Sequence, residues 1–71
     1  MMATQMVHVR VDGRSHEIAD YGLLDIPATA SDARLKEAAA AYLDMVPAKL
    51  AAHVVVREQT AIIVRPQAVY G

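Results

Sequence analysis

The chain has 71 residues, seven basic and eight acidic side chains, a formal net charge of −1, and no cysteine. This length suits one small domain with a thin core, predicted over residues 1–71. The absence of cysteine excludes disulfides, thiolate metal sites and cysteine nucleophiles. The mixed charge gives no electrostatic footprint for nucleic acid or anionic membrane, and no apolar run is long enough to span a bilayer. No secretory signal is visible, so we expect a cytoplasmic protein.

The first two predicted elements form a hairpin. Three valines alternate with polar residues in "MVHVRV", which predicts a strand over residues 6–11. Asp12-Gly13 suits a two-residue turn because both positions can adopt positive φ. A second strand follows over 14–19, with Ile18 as its one firm apolar anchor, which predicts a sheet edge. The resulting register pairs Val11 with Arg14, Val9 with His16, His8 with Glu17, and Val7 with Ile18.

A helix is predicted over residues 32–46. Ser31 is the expected N-cap, with Thr29 as an alternative, and Asp32 in the first turn favours the positive end of the helix dipole. Pro47 is expected to end the helix by disfavouring helical geometry at the residue before it. The apolar stripe of this helix consists of Leu35, Ala38, Ala39, Tyr42, Leu43 and Val46.

Two connecting segments flank this helix. Residues 20–30 contain glycine and proline without sustained periodicity, which predicts a loop with Leu23, Leu24 and Ile26 tucked beneath it. After the helix, "PAKL" predicts a single turn with Leu50 pointing inward.

A second hairpin is predicted from strands at 53–57 and 61–65, with Glu58, Gln59 and Thr60 in the turn. Neither strand alternates cleanly, because Val55 and Ile63 are apolar where an antiparallel sheet would expose polar groups. Either these strands are covered on both faces, or the sheet carries an uncovered apolar patch. With one helix available to cover one face, the second interpretation is the more informative.

The order of strand, strand, helix, strand, strand predicts a two-layer α+β domain. This order, the length and the early Asp-Gly hairpin together resemble the β-grasp fold, the ubiquitin-like superfamily that includes small sulfur-carrier proteins. The resemblance covers nearly the whole chain as topology. It implies a mixed four-stranded sheet in which the first and last strands are parallel neighbours, with the helix across one face.

The resemblance makes the C-terminal residues worth considering. Modifiers and sulfur carriers of this superfamily end in Gly-Gly, whereas this chain ends in Tyr70-Gly71. The tyrosine ring stands where a narrow activating site needs a residue without Cβ. Because of this mismatch, a carrier acting through Gly71 is the alternative function and not the leading one. The plainer interpretation of this segment is that Pro66 stops the last strand.

The predicted interface lies on the open sheet face. Its residues are Arg10, Val55, Arg57, Ile63 and Arg65. An apolar centre with an arginine rim is a common interface composition, although arginine stems also simply cover open sheet faces. We expect this face to bind a protein partner or a second copy, as an adaptor, an accessory subunit or a homodimer.

Other kinds of site find little support in the sequence. His8 and His16 point to opposite sheet faces in the predicted register, so no metal site is expected from them and His53. No catalytic arrangement, phosphate loop or cofactor motif is present, and we expect no enzyme activity and no small-molecule substrate. Nucleic-acid binding by the sheet would need aromatic platforms, and the aromatic residues are only Tyr21, Tyr42 and Tyr70.

Overall fold

The computed structural model describes residues 5–67. Four strands and one α-helix lie within them: β1 (Met6–Val11), β2 (Arg14–Ile18), α1 (Asp32–Tyr42), β3 (His53–Arg57) and β4 (Ala61–Pro66). Short 3₁₀ helices occupy Tyr21–Leu24 and Pro47–Leu50. The domain is a two-layer α+β fold, as predicted. No helix in this part of the chain has the length and apolar character needed to cross a membrane.

The four strands form one mixed sheet in the order β2-β1-β4-β3. β1 is antiparallel to β2 and parallel to β4, while β3 is antiparallel to β4. The expected parallel pairing of the first and last strands is therefore confirmed. The predicted edge position of β2 is also confirmed, and β3 forms the other edge.

The β1–β2 hairpin has the predicted turn and register. Asp12 and Gly13 both have positive φ, 53° and 73°, the backbone geometry that matches the twist of a two-residue hairpin. Every cross-strand pair expected from that turn is present, from Val11 opposite Arg14 to Val7 opposite Ile18.

The core lies between α1 and one face of the sheet, which we call the covered face. Alternate residues of β1 and β4 point into it, and α1 supplies Leu35 and a row of alanines. The small alanine side chains suit a chain with so little core volume. The buried hydrophobic residues are Val7, Val9, Val11, Ile18, Leu24, Leu35, Ala38, Ala39, Ala40, Leu50, Ile62 and Val64.

Helix α1 begins at the predicted cap. The Ser31 Oγ accepts a hydrogen bond of 3.1 Å from the Arg34 N–H, which satisfies one of the donors left open in the first turn. Asp32 adds an acidic side chain to the same turn. The choice of Ser31 over Thr29 is therefore confirmed.

The same helix ends at Tyr42, four residues before the predicted end. Asp44 adopts a left-handed conformation with φ 57°, and the chain closes a Schellman motif around it. The Met45 N–H donates to the Ala40 carbonyl at 2.9 Å, and the Asp44 N–H donates to the Ala41 carbonyl at 3.2 Å. Aspartate tolerates this conformation better than most residues do, so the stop lies upstream of the proline.

Three apolar residues that were expected to be buried are exposed. Tyr42 and Val46, predicted on the apolar stripe, are 48% and 62% exposed. Leu23, predicted beneath the loop, is 51% exposed, whereas its neighbour Leu24 is buried. Leu50 is fully buried in the second 3₁₀ helix, as expected from "PAKL".

The parallel pairing of β1 with β4 stops two residues before β4 itself ends. The last pair joins Val9 and Val64, and Pro66 has no N–H with which to continue the ladder. The Arg10 carbonyl is bonded instead by the His53 side chain, whose Nε2–H donates at 2.8 Å. Strand β3 is thereby tied to β1 across the end of the sheet.

Candidate functional site

The sheet face opposite α1 carries no covering layer within residues 5–67. We call it the open face. Because successive residues of a strand point to opposite faces, it receives the strand residues that alternate with the buried ones. They are Met6, His8 and Arg10 of β1; Ser15 and Glu17 of β2; Val54 and Val56 of β3; and Ala61, Ile63 and Arg65 of β4.

Three β-branched side chains lie together on this face, on the paired strands β3 and β4, and we call them the apolar centre: Val54, Val56 and Ile63. Val56 lies directly opposite Ile63, and Val54 lies opposite Arg65. All three members are half-buried by their neighbours on the sheet, and none belongs to the core cluster. The predicted placement of Ile63 on the open face is confirmed.

The prediction that Val55 and Arg57 lie on this face is wrong. Val55 is paired with the fully buried Val64, and Arg57 with the buried Ile62. Directly opposed residues share a face, so both point to the covered side. Val55 packs, partly buried, against the core.

The turn between β3 and β4 explains the error. The Glu58 N–H donates to the Ala61 carbonyl at 2.8 Å, so only Gln59 and Thr60 remain in the turn where three residues were predicted. A shift of one residue in register moves every side chain of a strand to the other face. The apolar run of β3 contains no polar residue to mark its phase, and its turn has no Asn-Gly or Asp-Gly pair, so no local signal in the sequence identified Val54 and Val56.

Arg57 has a structural role in this arrangement. Its Nη2 donates to the Ala30 carbonyl and to the Asp32 Oδ1, both at 2.9 Å, and its Nε donates to the same carboxylate at 3.2 Å. These contacts join the end of β3 to the first turn of α1. The side chain is thus occupied by the domain's own packing.

Arg10 and Arg65 lie side by side at one end of the open face. Arg10 follows Val9 and Arg65 follows Val64, and these two valines are paired on neighbouring parallel strands. Both arginine side chains are exposed. Neither makes an ion pair with any residue between 5 and 67. They share the wall of a cleft of about 320 Å³, whose other lining residues are Val11, Gly13, Pro66 and Gln67.

The histidines do not converge. His8 lies on the open face with its Nδ1 3.7 Å from the Glu17 Oε1, the weak cross-strand contact that the register predicted. His16 lies opposite the buried Val9, on the covered side, as predicted. In the part of the chain that the structure describes, no group of three or more His, Cys, Asp or Glu residues is placed to hold a metal ion.

Aromatic side chains lie away from the open face in the described residues. Tyr21 begins a 3₁₀ helix and its Oη donates to the Pro27 carbonyl at 2.6 Å, and Tyr42 ends α1. The base-stacking platforms of nucleic-acid-binding sheets are thus missing from this surface over residues 5–67. Tyr70 and Gly71, on which the carrier alternative depends, lie outside the described residues.

Comparison of the chain with protein-family models, with curated proteins and with solved structures found no match in any of the three. The topology of the sheet is therefore the evidence for the kind of fold. A mixed four-stranded sheet with parallel first and last strands and one helix across it is compatible with a β-grasp-like arrangement.

Proposed function

We propose that this chain is a β-grasp-like, ubiquitin-like domain that acts without catalysis, by binding another protein through its open face. It would serve as an adaptor, an accessory subunit or one half of a homodimer. One observation carries the proposal: Val54, Val56 and Ile63 cluster on a sheet face that no other described element covers.

Burial of the apolar centre supplies the driving force in this proposal. Complete burial of one such side chain is worth about 1.5–3 kcal/mol relative to full exposure, and these three are already half-buried by their neighbours. The gain from the apolar centre alone is therefore modest. A stable complex needs polar contacts at its rim as well, and Arg10 and Arg65 stand there.

Pre-organisation of the face favours binding. The apolar centre lies on two paired strands whose opposite sides are held by the core through Ile62 and Val64. Such a surface needs little reordering when a partner docks, so less of the interaction energy is lost to conformational entropy.

The experiment uses neighbouring residues of β3 as a matched pair. We expect Val56→Glu to leave the fold intact, because it adds a charge on the open face, and to abolish association. Val55→Glu places the same charge against the core and should lower the free energy of unfolding, by several kcal/mol if the carboxylate stays buried. Circular dichroism measures the secondary structure of both variants, and chemical denaturation measures their free energy of unfolding.

Association is measured first by light scattering of the wild type over a range of concentrations, and then by affinity capture with wild type, Val56→Glu and Ile63→Glu. Ala41→Glu, on the exposed side of α1, is the control. Self-association or a captured protein that depends on Val56 and Ile63 but tolerates Ala41→Glu would support the proposal. Binding that is indifferent to all three variants, or no association of either kind, would overturn it.

A further inference from the structure

Three of the basic side chains are held by contacts within the domain. Lys49 contacts Asp12 at 2.6 Å, Arg57 contacts Asp32 at 2.9 Å, and Lys36 donates to two backbone carbonyls. Arg10 and Arg65, like Arg14 and Arg34, make no ion pair within residues 5–67, but Arg10 and Arg65 stand side by side on adjacent strands. Like charges in adjacent positions of a sheet are destabilising, so this pair carries a small cost within the domain.

A carboxylate is the side-chain group of a protein partner that relieves this repulsion. Each guanidinium presents a planar fork of N–H donors that matches the two oxygens of a carboxylate. The cleft of about 320 Å³ that both arginines line is open to solvent and large enough to admit an acidic side chain. An anion bound there would interact with two positive charges at once.

We propose that the partner of the open face presents a carboxylate to the cleft between Arg10 and Arg65, next to an aliphatic side chain that covers Val56 and Ile63. This inference rests on the proposed function, and it specifies the chemistry of the partner: an acidic and aliphatic protein segment.

The other occupants fit the charges less well. Among residues 5–67, a second copy of the chain brings only Glu17 as an acidic residue on its open face, already 3.7 Å from its own His8. It also brings two more arginines. A nucleic acid would find phosphate contacts at Arg10 and Arg65 but no aromatic side chain on the described face, and the chain as a whole is slightly acidic.

The spacing along β4 adds a prediction about the partner's sequence. Ile63 and Arg65 are two residues apart on one strand, a separation of about 7 Å. An extended segment lying along β4 would match it with an aliphatic residue and an acidic residue at positions i and i+2. A helix would match it at i and i+3 or i+4, where side chains are about 5–6 Å apart.

Selection from a random peptide display library tests the proposal with the intact chain as bait. The wild type is expected to enrich peptides that combine Asp or Glu with an aliphatic residue at one of these spacings. The double variant Arg10→Gln/Arg65→Gln should lose the acidic preference, and Ile63→Glu should lose selection altogether. Arg34→Gln, which removes one positive charge from an exposed position of α1, should select as the wild type does.

The outcomes separate this inference from the proposed function. Peptides that depend on Ile63 but show no acidic preference would overturn the carboxylate site while leaving the protein-binding face standing. A library that yields nothing dependent on Ile63 would count against both. Tight, salt-sensitive binding of oligothymidylate, lost in the Arg10→Gln/Arg65→Gln variant, or dimerisation lost in the same variant, would assign the arginines to a different occupant.

A selected peptide then allows a quantitative check. Replacing its acidic residue by the amide, or Arg65 by glutamine, should each weaken binding by about tenfold. The two changes together should weaken it little further, because they remove the same contact. Fully additive losses would show that the acid and Arg65 do not meet.

Discussion

The two faces of the sheet carry similar aliphatic residues but place them in different surroundings. Ile62 and Ile63 are neighbours in β4, yet Ile62 belongs to the core and is only 2% exposed. Ile63 lies on a face with no layer above it in the described chain. Residue type therefore does not distinguish the core from the open face here. The presence of a second layer does.

The charged residues around the two faces differ in the ion pairs that they make. On the covered side, ion pairs join separate elements: Arg57 with Asp32, and Lys49 with Asp12. On the open face, Arg10 and Arg65 have no such partner within residues 5–67. The ion pairs of the covered side are thus made within the domain, and the open face is the surface that we propose a partner covers.

The largest expected effect comes from truncating the two isoleucines. Ile62→Ala should lower the free energy of unfolding by about 2–5 kcal/mol, because it leaves a cavity in a thin core. Ile63→Ala should lower it by only about 1 kcal/mol, since its side chain loses partial burial and no cavity forms. Urea denaturation of both variants measures the difference, and equal losses would mean that the two faces are packed alike.

A smaller effect is expected from the arginines. Arg57→Ala removes hydrogen bonds to Ala30 and Asp32 and should destabilise the domain by about 1 kcal/mol, a value reduced by solvent exposure. Arg65→Ala should change the free energy of unfolding by less than about 0.5 kcal/mol, or raise it slightly by relieving repulsion from Arg10. The same denaturation experiment applies, and a larger loss for Arg65→Ala would contradict the assignment of Arg57 to structure and Arg65 to binding.

The smallest expected effect is a pH dependence from the covered side. The hydrogen bond from Lys49, together with its charge, lowers the pKa of Asp12 below the ordinary value. A depressed carboxyl pKa stabilises the fold above the unfolded-state pKa, and this contribution is lost as the pH falls through the folded-state pKa. Because Asp12 is exposed, the contribution is small.

Denaturation of the wild type and of Lys49→Gln between neutral and strongly acidic pH isolates the contribution of the Asp12 carboxylate to stability. The stability difference between the two proteins should shrink as the pH falls below the ordinary aspartate range. A difference that stays constant would show that Lys49 stabilises the fold by some means other than the Asp12 carboxylate.

The two hairpins show how far the sequence could predict this fold. β1 alternates strictly between valine and polar residues, and Asp12-Gly13 fixes the turn, so the register of β1 with β2 was predictable pair by pair. β3 contains consecutive valines and its turn has no Asn-Gly or Asp-Gly signal. Its position in the chain was predictable, but its phase was not, and the candidate site inherited that error at Val55 and Arg57.

The amino-acid sequence by itself determined the α+β class, the order of the elements, the helix start at Ser31 and the first hairpin. Each of these depends on backbone preferences, or on contacts between residues that are close in the chain. Only the tertiary structure decided which side of β3 faces the core, because that depends on the closure of its turn and its pairing with Val64 and Ile62. It also brought Arg10 and Arg65, 55 residues apart in the numbering of the chain, next to each other. Parallel pairing of distant strands leaves no local signal in a sequence, and here that pairing creates the candidate site.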